Sequence, residues 1–158
     1  MFKYFLSGCF LFISTFSFAE QQTWYFVRHF EKQKSDNPSL TETGKARALA
    51  LSAFFSDKSL SKVYSTDYNR TQETATPVAE LKSLQIESYD PRKLAEFATE
   101  LKTQNDILVV GHSNTTPELL GLMGGPSIKI EETEYGTLYV LQSKDSVLSS
   151  TSFEISLK

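Results

Sequence analysis

Apolar and polar positions along this chain alternate between two periods. Short runs rich in β-branched and aromatic residues read as strands, and longer segments with apolar residues every three or four positions read as helices. Trp24 to Val27 is the first strand-like run, followed by a polar loop from Gln33 to Ser39. Thr41 is placed to cap a helix to about Phe55, with Ala46, Leu49, Ala50 and Phe54 expected on its apolar face. Lys62 to Ser65 is a second short strand. Asn69, with Gln72 three residues on, resembles a capping box and predicts a helix to about Leu81. Gln85 to Tyr89 is a third strand, and Asp90-Pro91 reads as an N-cap with proline at the first helical position, opening a helix to about Lys102. Ile107 to Val110 is continuously apolar, as expected of a central parallel strand covered on both faces. Thr116-Pro117 opens a helix over Leu119 to Met123, which Gly124-Gly125-Pro126 ends. Thr137 to Gln142 and Ser152 to Leu157 close the chain as a hairpin around Ser143 to Ser146, antiparallel at one sheet edge. With no repeat and no low-complexity linker, the pattern predicts a single α/β domain, a three-layer α/β/α sandwich around a mostly parallel sheet.

The chemistry gathers at the ends of these strands. The chain has only two histidines, and each follows a strand-like run: Arg28-His29-Phe30-Glu31 after the first, Gly111-His112-Ser113-Asn114 after the buried one. In open α/β sheets ligands bind beyond the carboxyl ends of the strands, so parallel strands would bring both imidazoles to one rim. Arg70 follows a third strand. It sits in the first turn of a predicted helix, where a positive charge opposes the helix dipole and calls for an anionic partner. That partner is either a bound anion or a salt bridge to Asp67 or Glu73. A neutral histidine can attack phosphorus when one ring nitrogen is held and the other is free. Guanidiniums beside it clamp the non-bridging oxygens. Each pair has an ordinary alternative: Arg28-His29 as an incidental strand end, His112 as part of a capping turn. Only their convergence points to a phosphoryl site.

Composition and the first residues adjust this picture. The formal net charge of −3 argues against a broad nucleic-acid surface and leaves room for a small cationic pocket. Residues 1–19 carry a basic start at Lys3, an apolar stretch from Phe5 to Phe16 and a small-x-small site at Ser17-Phe18-Ala19, the parts of a secretory signal peptide. The apolar stretch is short of the ~20 residues that a membrane span needs, so an uncleaved anchor is the lesser expectation. Leu6-Ser7-Gly8-Cys9 resembles a lipoprotein cleavage box, but too few residues precede it and the apolar run continues past it. The expected organisation is therefore a signal peptide over 1–19 and one domain over 20–158, exported to a bacterial periplasm. Cys9 is the only cysteine, so that domain has no disulfide to make. The aromatic residues, 13% of the chain, read as packing, with Trp24 in the core or at its edge.

Taken together, these segments resemble the histidine phosphatase superfamily, the phosphoglycerate-mutase-like group. Arg28-His29-Phe30-Glu31 is similar to its Arg-His-Gly-Glu signature and Leu40-Thr41-Glu42-Thr43-Gly44 to its Leu-Thr-x-x-Gly helix start. Ser65 to Ala75 is similar to its arginine-bearing Ser-Ser…Thr-Ala segment, and Val109 to Ser113 to its second histidine motif. Four motifs in order are far more specific than any one. The resemblance implies that His29 is the phosphorylated nucleophile, that Arg28, Arg70 and His112 bind the phosphoryl group, and that the Ser113 backbone adds a donor. It implies no metal and no cofactor, and two separated histidines without a carboxylate cluster agree. Phe30 departs from the usual glycine and is expected to narrow the pocket mouth or give it an apolar wall. The general acid is less defined. Asp90 is the candidate by topology, against its N-cap role, with Glu31, Glu96 and Glu118 behind it.

The implied activity is metal-independent hydrolysis of a phosphomonoester through a phosphohistidine, acting on a small phosphorylated substrate, without nucleic acid and without stable membrane insertion after signal cleavage. The stretch between Arg70 and His112 is compact for the substrate-capping insertions of the larger mutases. Two alternatives stand: a non-catalytic module binding phosphate or a phosphosugar, and a phosphohistidine protein phosphatase. Specificity is expected from the loop 33–39 and the segment 124–135; oligomeric state is not legible.

Overall fold

A computed structural model describes residues 21–157, so the expected signal peptide falls outside the described residues. The domain is a six-stranded mixed sheet flanked by four helices. In chain order these are β1 (Gln22–Arg28), α1 (Glu42–Phe54), β2 (Lys62–Ser65), α2 (Asn69–Lys82), β3 (Ile86–Ser88), α3 (Leu94–Leu101), β4 (Ile107–Gly111), α4 (Thr115–Leu122), β5 (Thr137–Lys144) and β6 (Val147–Glu154). The strand order is β3-β2-β4-β1-β5-β6. The first four strands in that order are parallel, β5 is antiparallel to β1, and β6 is antiparallel to β5.

Alternation along the strands divides the core between two faces. Tyr25 and Val27 of β1, with Leu108 and Val110 of β4, pack under α1 and α2 against Leu51, Ala75 and Val78. Trp24, Phe26, Ile107 and Val109 point the other way, against Leu94 and Phe97 of α3 and Leu119 of α4. This is the expected three-layer arrangement. Trp24 is core, its indole N–H donating to the Leu101 carbonyl at 2.8 Å.

Several local expectations are corrected. The buried face of α1 is Gly44, Ala48 and Leu51, continued by Phe55, whereas Ala46 is exposed and Leu49 is 63% exposed. The helix is apolar around most of its circumference, so periodicity alone did not fix its rotation. Thr41 does cap α1, accepting from the Gly44 N–H at 3.1 Å. Asn69 does not cap α2: Tyr68 holds that position without a side-chain bond, Asn69 bonds the Asn37 backbone and side chain, and Gln72 donates to the Thr66 carbonyl. The helix expected from Pro91 begins only at Leu94, because Asp90 accepts from the Arg92 N–H and closes a turn instead of a cap. β6 starts five residues earlier than Ser152, at Val147, and the hairpin tip is Asp145-Ser146, both at positive φ. That is the twist a two-residue connection needs.

Three adjacent parallel strands, β2, β4 and β1, end at one rim. The register pairs Arg28 with Gly111 and Ser65 with Val110. Residues just past each strand therefore converge without any long excursion of the chain.

Candidate active site

His29 follows β1 directly, and its backbone N–H continues the ladder to the Gly111 carbonyl at 2.9 Å. The side chain is 3% exposed, and its Nδ1 lies 2.8 Å from the Phe30 carbonyl oxygen. A carbonyl only accepts, so Nδ1 carries the proton and Nε2 presents a lone pair. Burial pushes the imidazole down to about 3; the bond to the Phe30 carbonyl works against this, and the charges of Arg28, His112 and Arg70 add to it. At neutral pH His29 is unprotonated at Nε2, with Nδ1 fixed by the Phe30 carbonyl.

His112 lies opposite, the two ring centroids 5.6 Å apart. Its Nε2 is 3.0 Å from Thr66 Oγ1, and its Nδ1 is 3.4 Å from an Arg70 terminal nitrogen. Arginine only donates, so Nδ1 is unprotonated and Nε2–H donates to Thr66. The Thr66 hydroxyl passes its hydrogen to Thr71 Oγ1, and Thr71 donates to the Thr66 and Tyr68 carbonyls. This chain of hydroxyls fixes the tautomer and aims Nδ1 at Arg70. Burial, then Arg70 and Arg28, pushes His112 down to about 4. A phosphoryl dianion would reverse the sign of that field and favour His112 taking a proton.

Neither arginine is spent on a conventional salt bridge within its own segment. Arg70 packs over the Tyr68 ring at 4.5 Å and faces His112, while Asp67 accepts from Ser88 and Glu73 caps the Leu40 N–H. The bland alternative for Arg70 is thereby removed. Arg28 is 2% exposed and is gripped by the segment between α4 and β5. One terminal nitrogen donates to the Glu131 and Glu134 carbonyls at 2.7 and 2.8 Å, the other reaches the Glu132 carboxylate at 3.0 Å, and the guanidinium stacks on Tyr135 at 4.3 Å. The Nε–H of each arginine has no protein acceptor, so both guanidiniums keep an unspent donor.

His29, Arg70, His112, Tyr68 and Glu132 line a cavity of 390 Å³ with Lys32, Arg92 and Ser113. The structure brings His29, Arg70, His112 and Ser113 to this one cavity, whereas Arg28 stands behind its lining, bonded to Glu132. Asp90 is not brought into it. Its carboxylate is paired with Arg92 at 2.8 Å, and hydrogen bonds from Arg92 hold it down at about 2, the wrong direction for a proton donor at neutral pH. Glu31 is bidentate on Arg47, Glu96 is exposed beside Lys93, and Glu118 is exposed on α4. Phe30 does not reach the pocket mouth; it is fully buried in the core under α1 and α2, and its φ is negative, so the position has no need of glycine. The loop 33–39 contributes nothing to the lining. The sequence reading missed Glu132, Tyr135 and Tyr68, which no local pattern marks.

Two glycines are required by close approach. A Cβ on Gly44 would strike the Glu31 carbonyl, and one on Gly111 would stand 2.8 Å from the Tyr89 hydroxyl and 2.9 Å from Thr116 Oγ1. Among the described residues no three His, Cys, Asp or Glu side chains group as metal ligands, and no helix is long and apolar enough to cross a membrane.

Residues 22–98 match the sequence profile of the histidine phosphatase superfamily, branch 1. The match takes in His29 and Arg70 and ends before His112, which the fold supplies. No curated protein matches. Among solved structures, an Escherichia coli K-12 protein assigned as an α-ribazole-5′-P phosphatase aligns with TM-score 0.71 at 15% identity, over 87% of this chain and 99% of its own. The protein histidine phosphatase SixA in complex with tungstate aligns with TM-score 0.65 at 14% identity, over 85% and 97%. A phosphoglycerate mutase from Bacillus anthracis aligns with TM-score 0.64 at 17% identity, over 87% and 95%. At these identities the likeness is one of fold. Profile match and motif order make this chain similar to the phosphoglycerate-mutase-like histidine phosphatase superfamily, and the solved structures share its fold.

Proposed function

We propose that this protein is a metal-independent phosphatase that hydrolyses a small phosphomonoester through a phosphohistidine on His29. The observation that carries the reading is the state of that imidazole: buried, unprotonated, its Nδ1–H tied to a backbone carbonyl, its Nε2 free, and the ring lining one cavity with Arg70 and His112 under the added charge of Arg28. In the first step Nε2 attacks phosphorus while the arginines and His112 hold the non-bridging oxygens. In the second, water attacks phosphorus and releases phosphate, regenerating His29. Nothing in this scheme requires a cofactor. Export to a periplasm belongs to the same proposal and rests on the sequence of residues 1–19; N-terminal sequencing of the secreted product tests it.

The test is turnover of an aryl phosphate by the purified protein in the presence of a chelator, beside His29→Ala. Chelator-resistant hydrolysis that the substitution abolishes is expected. Phosphate binding without turnover would instead make the domain a phosphate-binding module, and turnover that survives His29→Ala would remove the phosphohistidine.

A further inference from the structure

The loss of Asp90 leaves the reaction without a proton donor for the departing oxygen. Among the described residues that line the cavity there is a single carboxylate, that of Glu132. It belongs to the segment 124–136, which folds back over the rim and is locked there by three independent contacts with Arg28. These are the Glu131 carbonyl, the Glu134 carbonyl and the stacked Tyr135 ring. One oxygen of Glu132 meets Arg28 at 3.0 Å, and the other accepts the Ser113 hydroxyl. The carboxylate therefore bridges β1 and the β4–α4 turn above the two imidazoles. Its side chain is 76% exposed, whereas the arginine it touches is buried. The group stands at the solvent mouth of the site, where a leaving group departs and water enters.

Resting on the phosphatase reading above, we propose that Glu132 is the general acid to the leaving oxygen and the general base to the attacking water. As the ester P–O bond breaks and the P–N bond to His29 Nε2 forms, the Glu132 carboxyl gives its proton to the departing alkoxide, which leaves as the alcohol. Water then gives a proton to the Glu132 carboxylate while its oxygen bonds to phosphorus. The P–N bond breaks, phosphate leaves, and both His29 and the protonated carboxyl are restored. Ester and water are consumed, alcohol and phosphate are made, and no other reactant is needed.

The electrostatics change in the direction this role needs. Without an anion, the Ser113 hydrogen bond, and after it Arg28, His29 and Lys32, holds Glu132 below the usual carboxylate range. A phosphoryl dianion takes the same guanidinium and sets two negative charges beside the carboxylate, which raises its affinity for a proton when substrate arrives. The groups that face Glu132 are Arg28, Arg70, Lys32, His29, His112 and Ser113.

The experiment is kcat/KM, which reports the phosphoryl-transfer step to His29, for a series of substituted phenyl phosphates whose leaving phenols differ in acidity, with wild type and Glu132→Gln. A poor leaving group needs the proton and a good one does not. The expected result is a steep dependence on phenol acidity in the variant and a shallow one in wild type. The variant's loss should approach 10²-fold or more for the least acidic phenol, within the usual range for general acid catalysis, and be at least tenfold smaller for the most acidic. Equal losses across the series would overturn the proposal, leaving Glu132 a positioning contact for Arg28. A gain across the series would overturn it too, making Glu132 a carboxylate that competes with substrate. Absence of wild-type turnover on every ester would defeat the phosphatase reading itself, a different result from parallel wild-type and variant lines.

Discussion

The unprotonated state of His29 carries a stability cost at acid pH that a single substitution removes. In the unfolded chain the imidazole titrates at 6.5, whereas in the folded protein burial holds it at about 3. Between those values the unfolded state binds a proton that the native state refuses. Stability is therefore fully present above 6.5, falls as pH drops through it, and stops falling near 3. The linkage relation gives a loss of about 2 kcal/mol from His29 alone between about pH 8 and about pH 5. His29→Asn keeps a polar side chain and has no proton to gain, so the variant should lose about 2 kcal/mol less than wild type on the same acidification. His112, down at about 4, contributes in both proteins and cancels in the difference. Both histidines are neutral in the native state over this window, so their coupling does not enter. The assay is urea unfolding of both proteins at the two pH values in buffer free of phosphate, because a bound anion would add its own linkage. If wild type and variant lose the same stability, His29 is not held unprotonated, and the argument for a ready nucleophile fails with it.

Two further substitutions probe how the site is held. Thr66→Val removes the acceptor of His112 Nε2–H and leaves a largely buried donor unmatched, a loss of about 1–3 kcal/mol. It should also free the ring to change tautomer; nitrogen-15 NMR of the imidazoles reads the tautomer and kcat reads the effect, and an unchanged spectrum would show that the hydroxyl chain does not set it. Gly111→Ala places a methyl against Tyr89 and Thr116, so it should cost about 1–3 kcal/mol in urea unfolding and lower activity by shifting His112. A variant as stable and as active as wild type would mean that these side chains yield freely.

The parts of the site that were legible in sequence share one property: each lies one to five residues past a strand end, as His29 does after Arg28, His112 after Gly111 and Arg70 after Ser65. Parallel pairing brings strand ends together whatever the intervening chain does, so short motifs sufficed. The convergence of β1, β4 and β2 then followed from topology. α1 shows the opposite case. Ala46, Leu49, Ala50 and Phe54 make one helical stripe and Ala48, Leu51 and Phe55 another, and only the sheet decides between them. At Asp90 a carboxylate before proline satisfies the local rule for a cap, but Arg92 offers it a backbone N–H and a guanidinium two residues away. The turn wins before a helix can start.

The segment 124–135 was marked in sequence for specificity, but the parts its residues play were illegible for a different reason. It has no strand or helix period, and what fixes it is Arg28, more than a hundred residues earlier in the chain. Its carbonyls take donors of an arginine that the family resemblance assigns wholly to the phosphoryl group. The two roles compete for the same guanidinium. The protein resolves this by spending one terminal nitrogen on backbone and leaving the other on an exchangeable carboxylate. A substrate phosphoryl can displace Glu132 from Arg28 without dismantling the loop, because the Glu131 and Glu134 carbonyls and Tyr135 still hold it. The displaced carboxylate then stays tethered at the cavity it lines, beside Ser113. Anchoring the loop and freeing the carboxylate are consequences of the same arginine.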